Sequence, residues 1–351
     1  MRGKSLACAS LIVFCTGCNA GVGGSQPQAP VGNPGGQVAQ PAAPSGPADP
    51  SSSVPSGLTE NAVAPYPIIL VHGMFGFKTI DLVNLRYFNG VAEDLASIGE
   101  TAVYEPVVPF LGSSETRAKV LATYIDDVLA KTGKRKVNIV GHSQGGLDAR
   151  YLVSSMGYGD RVASITTLSS PHHGSRVADA ILGLAPDLTY ALVQPLLKLY
   201  GDLASNLNDP DLHASLVSLS EDYLERVFNP QNPDDPRVAY YSWAGRSLLS
   251  PGDADCDQAM HPNNPQVTDN VDPLFVVFGG FLNASGMPMH PVNDGLVPVY
   301  SAKHGMFMGC IPADHLDEVG LFGGDGTDPN SKFDHRTLFR EIVWNMRANG
   351  F

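Results

Sequence analysis

Short apolar runs alternate along this chain with longer stretches whose apolar residues recur at helical spacing. Residues 66–71 (Tyr-Pro-Ile-Ile-Leu-Val) end at His72-Gly73 and read as a buried strand. Residues 101–108 read as a second. Over 113–131, Ala118, Leu121, Ile125, Val128 and Leu129 share a helical face, with Ser113 at the start and Gly133 just beyond. That pattern predicts a helix with a serine cap and a glycine stop. Strands follow over 136–140, 162–168 and 238–243, a helix opens over 147–153, and an amphipathic helix closes the chain over 333–348. Strands alternating with helices imply a mostly parallel sheet covered on both faces, with sites at the carboxyl ends of the strands.

Two stretches break the pattern. Residues 177–203 are almost wholly apolar, but Pro186 and Pro195 forbid one continuous helix. Two or three short helices fit, either as a buried layer or as a lid with a greasy inner face. The other is the N-terminus. Arg2 and Lys4 precede an apolar run over residues 6–14 that is too short to span a bilayer, which is the form of a signal peptide. Residues 19–64 are Gly, Pro, Ser, Ala and Gln with almost no charge, too poor in apolar surface to offset ordering entropy. They read as a tether, about 35–40 Å in mean span as a flexible coil. The folded domain is then residues 65–351, within the size of a single α/β unit.

Composition narrows the function classes. A net charge of −13 without a basic cluster excludes nucleic acid as a partner. Of five cysteines, Cys8, Cys15 and Cys18 lie in the leader, leaving Cys256 and Cys310 in the domain. Two cysteines in an exported domain imply one disulfide, the alternative being two buried thiols.

The chemistry concentrates at Gly141-His142-Ser143-Gln144-Gly145, which follows a strand and precedes a helix. That is the setting of a nucleophile elbow: a serine on a strained turn whose glycines let strand and helix approach. A serine hydroxyl needs a base. The downstream candidates are His172, His173, His213, His261, His290, His304, His315 and His335, and composition does not choose among them.

Four segments carry a resemblance that does choose: residues 69–77 (Ile-Leu-Val-His-Gly-Met-Phe-Gly-Phe), residues 141–146, residues 169–175 (Ser-Ser-Pro-His-His-Gly-Ser), and Asn293-Asp294-Gly295-Leu296-Val297 followed by His315-Leu316-Asp317-Glu318-Val319. With these, residues 65–351 resemble bacterial lipases of the Pseudomonas and Burkholderia type. The resemblance implies an α/β-hydrolase fold with a mostly parallel central sheet, helices on both faces and a helical lid insertion over about residues 177–235. It makes Ser143 the nucleophile, Asp294 the acid and His315 the base, with the oxyanion held by the backbone N–H groups of Met74 and Gln144. His72 is expected to brace the Met74 loop. The resemblance also implies a structural calcium through Asp317 and Asp272, hard oxygen donors suited to that ion, with Leu321 standing where those lipases have Gln. A Cys256–Cys310 bridge would pin the acid and base loops together. No organic cofactor is implied.

Cys15-Thr16-Gly17-Cys18 resembles a bacterial lipobox, which would leave Cys18 acylated and the protein anchored at the outer membrane. Cleavage after Ala20 and free secretion is the alternative. The expected substrate is an acylglycerol ester at an oil–water or membrane surface. A short-chain carboxylesterase and a non-catalytic surface lipoprotein are the other readings. The domain is expected to be monomeric, and a dedicated folding chaperone, used by some of those lipases, is left open.

Overall fold

The computed structural model describes residues 63–80, 85–183, 210–247, 256, 292–321 and 331–351. The signal peptide, the tether up to residue 62, Cys18, Asp272, His261, His290 and residues 184–209 of the expected lid lie outside the described residues.

Among the described residues, six parallel strands make the sheet, in the order β4-β1-β5-β6-β7-β8. They are β1 (Ile68–Val71), β4 (Val103–Tyr104), β5 (Val137–His142), β6 (Val162–Leu168), β7 (Ala239–Gly245) and β8 (Met306–Ile311). A small antiparallel ladder, β2 (Thr79–Ile80) with β3 (Leu85–Arg86), stands apart. Side chains alternate across β1. Ile68 and Leu70 join one core cluster, while Ile69 and Val71 join the other. Helices α2 (Ser114–Thr132) and α3 (Gln144–Ser154) cover the second face through Leu121, Ile125, Ala149 and Leu152. On the first face lie α1 (Val91–Ser97) and the C-terminal helix His335–Asn349. These two are tied by Arg340 Nε donating to Asp94 Oδ2 at 2.7 Å. Coverage of both faces is as expected.

Most predicted elements stand where the pattern put them. Ser113 caps α2 by accepting the Thr116 N–H, and Gly133 ends it at φ 67°. Three differ. The stretch 101–108 pairs only at Val103–Tyr104, because Pro106 and Pro109 offer no N–H to a ladder. Helix α3 starts directly after Ser143 rather than at residue 147, its first turn being hidden by Gly145 and Gly146. Edge strand β8 goes unpredicted: its burial runs from the exposed Met306 to the buried Ile311 without alternation. The expected lid stretch is described only at its flanks. There α4 (Arg176–Ile181) and the helix Pro210–Ser218 pack on one another with buried Val177, Ala178, Leu212 and Leu216.

The topology opens a crevice. From β1 the chain goes out to β4 on one side, then returns to β5 on the other. Connections therefore leave the β1 and β5 carboxyl ends in opposite directions, the place where α/β sheets bind ligands. One buried cation spans the crevice floor. Arg117 of α2 is fully buried; its Nε donates to Asp148 Oδ2 of α3 at 2.8 Å, its Nη2 to the His72 carbonyl at 2.6 Å and its Nη1 to the Pro109 carbonyl at 2.5 Å. Burial pushes the Asp148 carboxyl up to about 6 against the pull of Arg117. Removing one partner of such a pair strands the other charge, at about 3–5 kcal/mol. Arg117→Met is accordingly expected to lose stability of that order in urea titration. A loss below about 1 kcal/mol would mean that the pair does not hold the crevice.

Candidate active site

The turn between β5 and α3 places Ser143 at φ 54° and ψ −128°, a backbone that side-chain-bearing residues rarely adopt. The close approach of strand and helix requires it. A Cβ on Gly141 would lie 2.6 Å from the Gly146 nitrogen, and one on Gly145 would lie 2.4 Å from the Val71 carbonyl oxygen. Only glycine fits at either position. The Ser143 N–H donates to the Leu168 carbonyl at 2.9 Å, fastening the turn to β6.

Across the crevice, β1 runs out into His72-Gly73-Met74. Three bonds set this loop. Arg117 holds the His72 carbonyl, Tyr87 Oη accepts the Gly73 N–H at 2.9 Å, and the Phe75 N–H donates to the Phe110 carbonyl at 2.9 Å. His72 braces the loop by donating from Nδ1 to the Gly73 carbonyl at 2.8 Å. Burial, reinforced by Arg117, depresses its pKa to about 3, so it is neutral. The backbone N–H groups of Met74 and Gln144 have no acceptor among the described residues, and Gln144 stands at the first turn of α3, where a helix leaves its amides unpaired. The Gln144 side chain points elsewhere, donating from Nε2 to the Gly112 carbonyl at 2.9 Å.

Asp294 and His315 come from the far side of the sheet. Asp294 is fully buried, and its Oδ1 accepts the N–H groups of Leu296 and Val297 at 2.8 and 2.7 Å. Its Oδ2 lies 2.7 Å from His315 Nδ1, and the His315 N–H donates to the Asp294 carbonyl at 3.0 Å. The neighbouring carboxylate of Asp314 is engaged otherwise: its Oδ1 accepts the N–H groups of Leu316 and Asp317, starting the turn Asp317–Val319. Cys256 and Cys310 form the expected disulfide. They pack with Val292, Val297 and Val299, so the bridge grips the loop that carries Asp294.

Ser143 and His315 line one cleft of about 680 Å³, mouth included, together with Met74, Tyr87, Val177, Leu216 and Leu296. Its largely apolar walls suit an apolar substrate group. No hydrogen bond joins Ser143 Oγ to His315 in this resting geometry; such bonds commonly tighten only with substrate present. A larger cleft beside β4, lined by Lys78, Glu105 and Tyr124, holds none of these groups.

Other histidines meet carboxylates too, but not here. His304 Nε2 lies 2.9 Å from Asp234, and His173 Nδ1 lies 2.5 Å from Glu225, both away from the cleft. His172 is buried and stacked on His304, and His335 reaches the Asn89 carbonyl. Two residues of the site were not anticipated. Tyr87 Oη lies 2.7 Å from His142 Nδ1 while holding Gly73. Glu318 is fully buried, with Oε1 accepting from Ser169 Oγ at 2.5 Å. Burial, then the charge of Asp294, pushes its carboxyl well above the usual range. Burial, then His315, pushes His142 well below, so it too is neutral.

The chain matches the alpha/beta hydrolase fold family over residues 66–254. It is 33% identical over 332 residues to a triacylglycerol lipase of Vibrio cholerae, covering 86% of this chain and 96% of that one. It is also 34% identical over 307 residues to a triacylglycerol lipase of Burkholderia plantarii, covering 76% and 84% respectively. In fold it is similar to the mature Bacillus licheniformis lipase BlEst2, with a TM-score of 0.55 at 20% identity over 80% of this chain and 92% of that one. The metagenomic carboxyl esterase MGS0156 gives 0.57 at 17% identity, over 86% and 81%. An elbow serine, a buried carboxylate–imidazole pair on the same apolar cleft, and relatives matched along nearly their whole length agree: the chain belongs to the α/β-hydrolase family and, within it, to the bacterial lipases, enzymes that hydrolyse ester bonds.

Proposed function

We propose that the protein hydrolyses long-chain acylglycerol esters through an acyl-enzyme on Ser143, with His315 as base, Asp294 as the carboxylate behind it, and the Met74 and Gln144 amides as the oxyanion hole. The observation that carries this reading is the Asp294–His315 pair at 2.7 Å, beside Ser143 on a cleft walled by Leu216, Leu219, Leu296 and Ile181. Ser143 Oγ attacks the ester carbonyl as His315 takes its proton. The two amides meet the alkoxide, one such donor being worth about 2.7–4 kcal/mol. His315 then gives the proton to the leaving glycerol oxygen, and water repeats the sequence on the acyl-enzyme. Asp294 orients the imidazole and stabilises its cation, while its own charge is held by the two amides on Oδ1.

No helix among the described residues is long and apolar enough to cross a membrane. Export, with Cys18 acylated at the outer membrane, fits a substrate presented at a lipid surface. Calcium belongs to the same reading. Asp317 sits half-buried on the turn that follows His315. A hard cation held there, with Asp272 as a second oxygen ligand, would stiffen the base loop.

Three outcomes are expected. Ser143→Ala and His315→Ala should each lower kcat by about 10⁴–10⁶ on any ester, at unchanged melting temperature; a His315→Ala enzyme with near-full activity overturns the assignment. Rates on emulsified long-chain glycerides should exceed those on dissolved short-chain esters, whereas the reverse order makes the protein a carboxylesterase. Chelation should lower both activity and melting temperature, with recovery on adding Ca²⁺ and no such response in Asp317→Ala. A ligand at a hundredfold its Kd stabilises by about 2.7 kcal/mol. If neither quantity moves, there is no working calcium site.

A further inference from the structure

Three buried groups converge beneath the elbow: His142 from the end of β5, Glu318 from the turn after the base, and His315 itself. Their ligand-capable atoms lie within 4.8 Å of one another, the one such trio of His, Cys, Asp or Glu found among the described residues. His142 Nε2 and Glu318 Oε2 face each other at 3.5 Å. Both residues are fully buried, and neither atom has a partner at full hydrogen-bond geometry. Buried polar atoms are nearly always satisfied, so two orphans aimed at one point require an explanation.

The spacing supplies one. Zn²⁺ binds imidazole nitrogen and carboxylate oxygen at about 2.0–2.2 Å in tetrahedral geometry, which sets neighbouring ligand atoms about 3.4 Å apart. The His142–Glu318 separation already matches. His315 would need to close by an ångström or so, a shift within reach of a loop residue. The outer contacts of His142 and Glu318 fit as well. Metal-bound groups are typically held from their far side by a hydrogen bond that fixes ring orientation and tautomer. Here Tyr87 Oη lies 2.7 Å from His142 Nδ1, and the Ser169 hydroxyl bonds Glu318 Oε1. The tautomer of His142 that donates from Nδ1 to the Tyr87 oxygen leaves Nε2 free to ligate.

We propose that His142, Glu318 and His315 form an inhibitory binding site for a borderline divalent cation such as Zn²⁺. Occupancy shuts the enzyme by drawing His315 away from Ser143. The donor set selects the ion. Two imidazoles and one carboxylate suit zinc and its borderline neighbours, whereas calcium and magnesium require six or more oxygens in all. Three protein groups leave the fourth position to water. The inhibition rests on His315 being the base, but the binding does not, and the two are separable.

The test titrates ZnCl₂ against hydrolysis of a dissolved nitrophenyl ester by the full chain, with CaCl₂ and MgCl₂ as controls. Inhibition at micromolar zinc is expected, reversed by chelation followed by return of Ca²⁺. Glu318→Gln and His142→Asn should each raise the half-inhibitory zinc concentration at least tenfold. Equal inhibition of wild type and Glu318→Gln, or none in wild type, overturns the proposal. Since either variant could fail to fold, Co²⁺ binding is also read in Ser143→Ala, which keeps all three ligands. The intense visible bands of a four-coordinate ion, at one per chain and displaced by Zn²⁺, support the site even if the protein cleaves no ester. Weak six-coordinate bands, or no binding, refute it.

Discussion

The backbone of Ser143, at φ 54° and ψ −128°, is a conformation costing of order 1–3 kcal/mol, and its neighbours must hold it there. They do so by contact. Gly141 and Gly145 bring strand, helix and the end of β1 closer than any side chain would allow. That approach lies at the point where the sheet connections diverge, so one constraint both exposes the hydroxyl and opens the cleft beside it. Met74 stands on the opposite bank because β1 pairs with β5 in a register that aligns Val71 with Gly141. The Met74 loop and the elbow are consecutive consequences of one strand pairing.

Around that turn, burial decides protonation. His72 and His142 flank the site but are stripped of basicity by desolvation, which leaves His315 as the imidazole backed by a carboxylate on the cleft. Asp294 is buried more deeply than His315, and two backbone amides make its position tolerable. Arg117 performs the corresponding task on the other bank, where one guanidinium satisfies the His72 carbonyl just beyond β1 and Asp148 of helix α3 together. The disulfide adds a covalent hold on the Asp294 loop from behind.

How much of this was legible in the sequence depends on the residue. Helix α2 announced itself through Ser113, Gly133 and a regular apolar face, and β5 and β6 through short runs rich in β-branched and apolar residues, because those local signals agree with the fold. Edge strand β8 did not, since half of it faces solvent and Gly309 interrupts it. Helix α1 starts at Gly90 without a side-chain cap, so only the acidic Glu93 and Asp94 of its first turn marked it. The elbow was readable from motif and context. Choosing Asp294 over Asp314 needed resemblance, because the two differ in topology rather than in type. Tyr87 and Glu318 left no local trace: a tyrosine and a glutamate look solvated in a sequence, and only tertiary packing buries them. The turn of π-helix at Leu224–Phe228 is equally silent, being a matter of one extra residue per turn.

Catalysis through a covalent intermediate is the claim on which the account rests, and trapping that intermediate tests it most directly. Acid-quenching the protein during turnover of a slowly deacylated ester, then mapping the acyl group by peptide mass, should place it on Ser143 at close to one per chain. An acyl group on another residue, or turnover with no acylated protein at all, would contradict it.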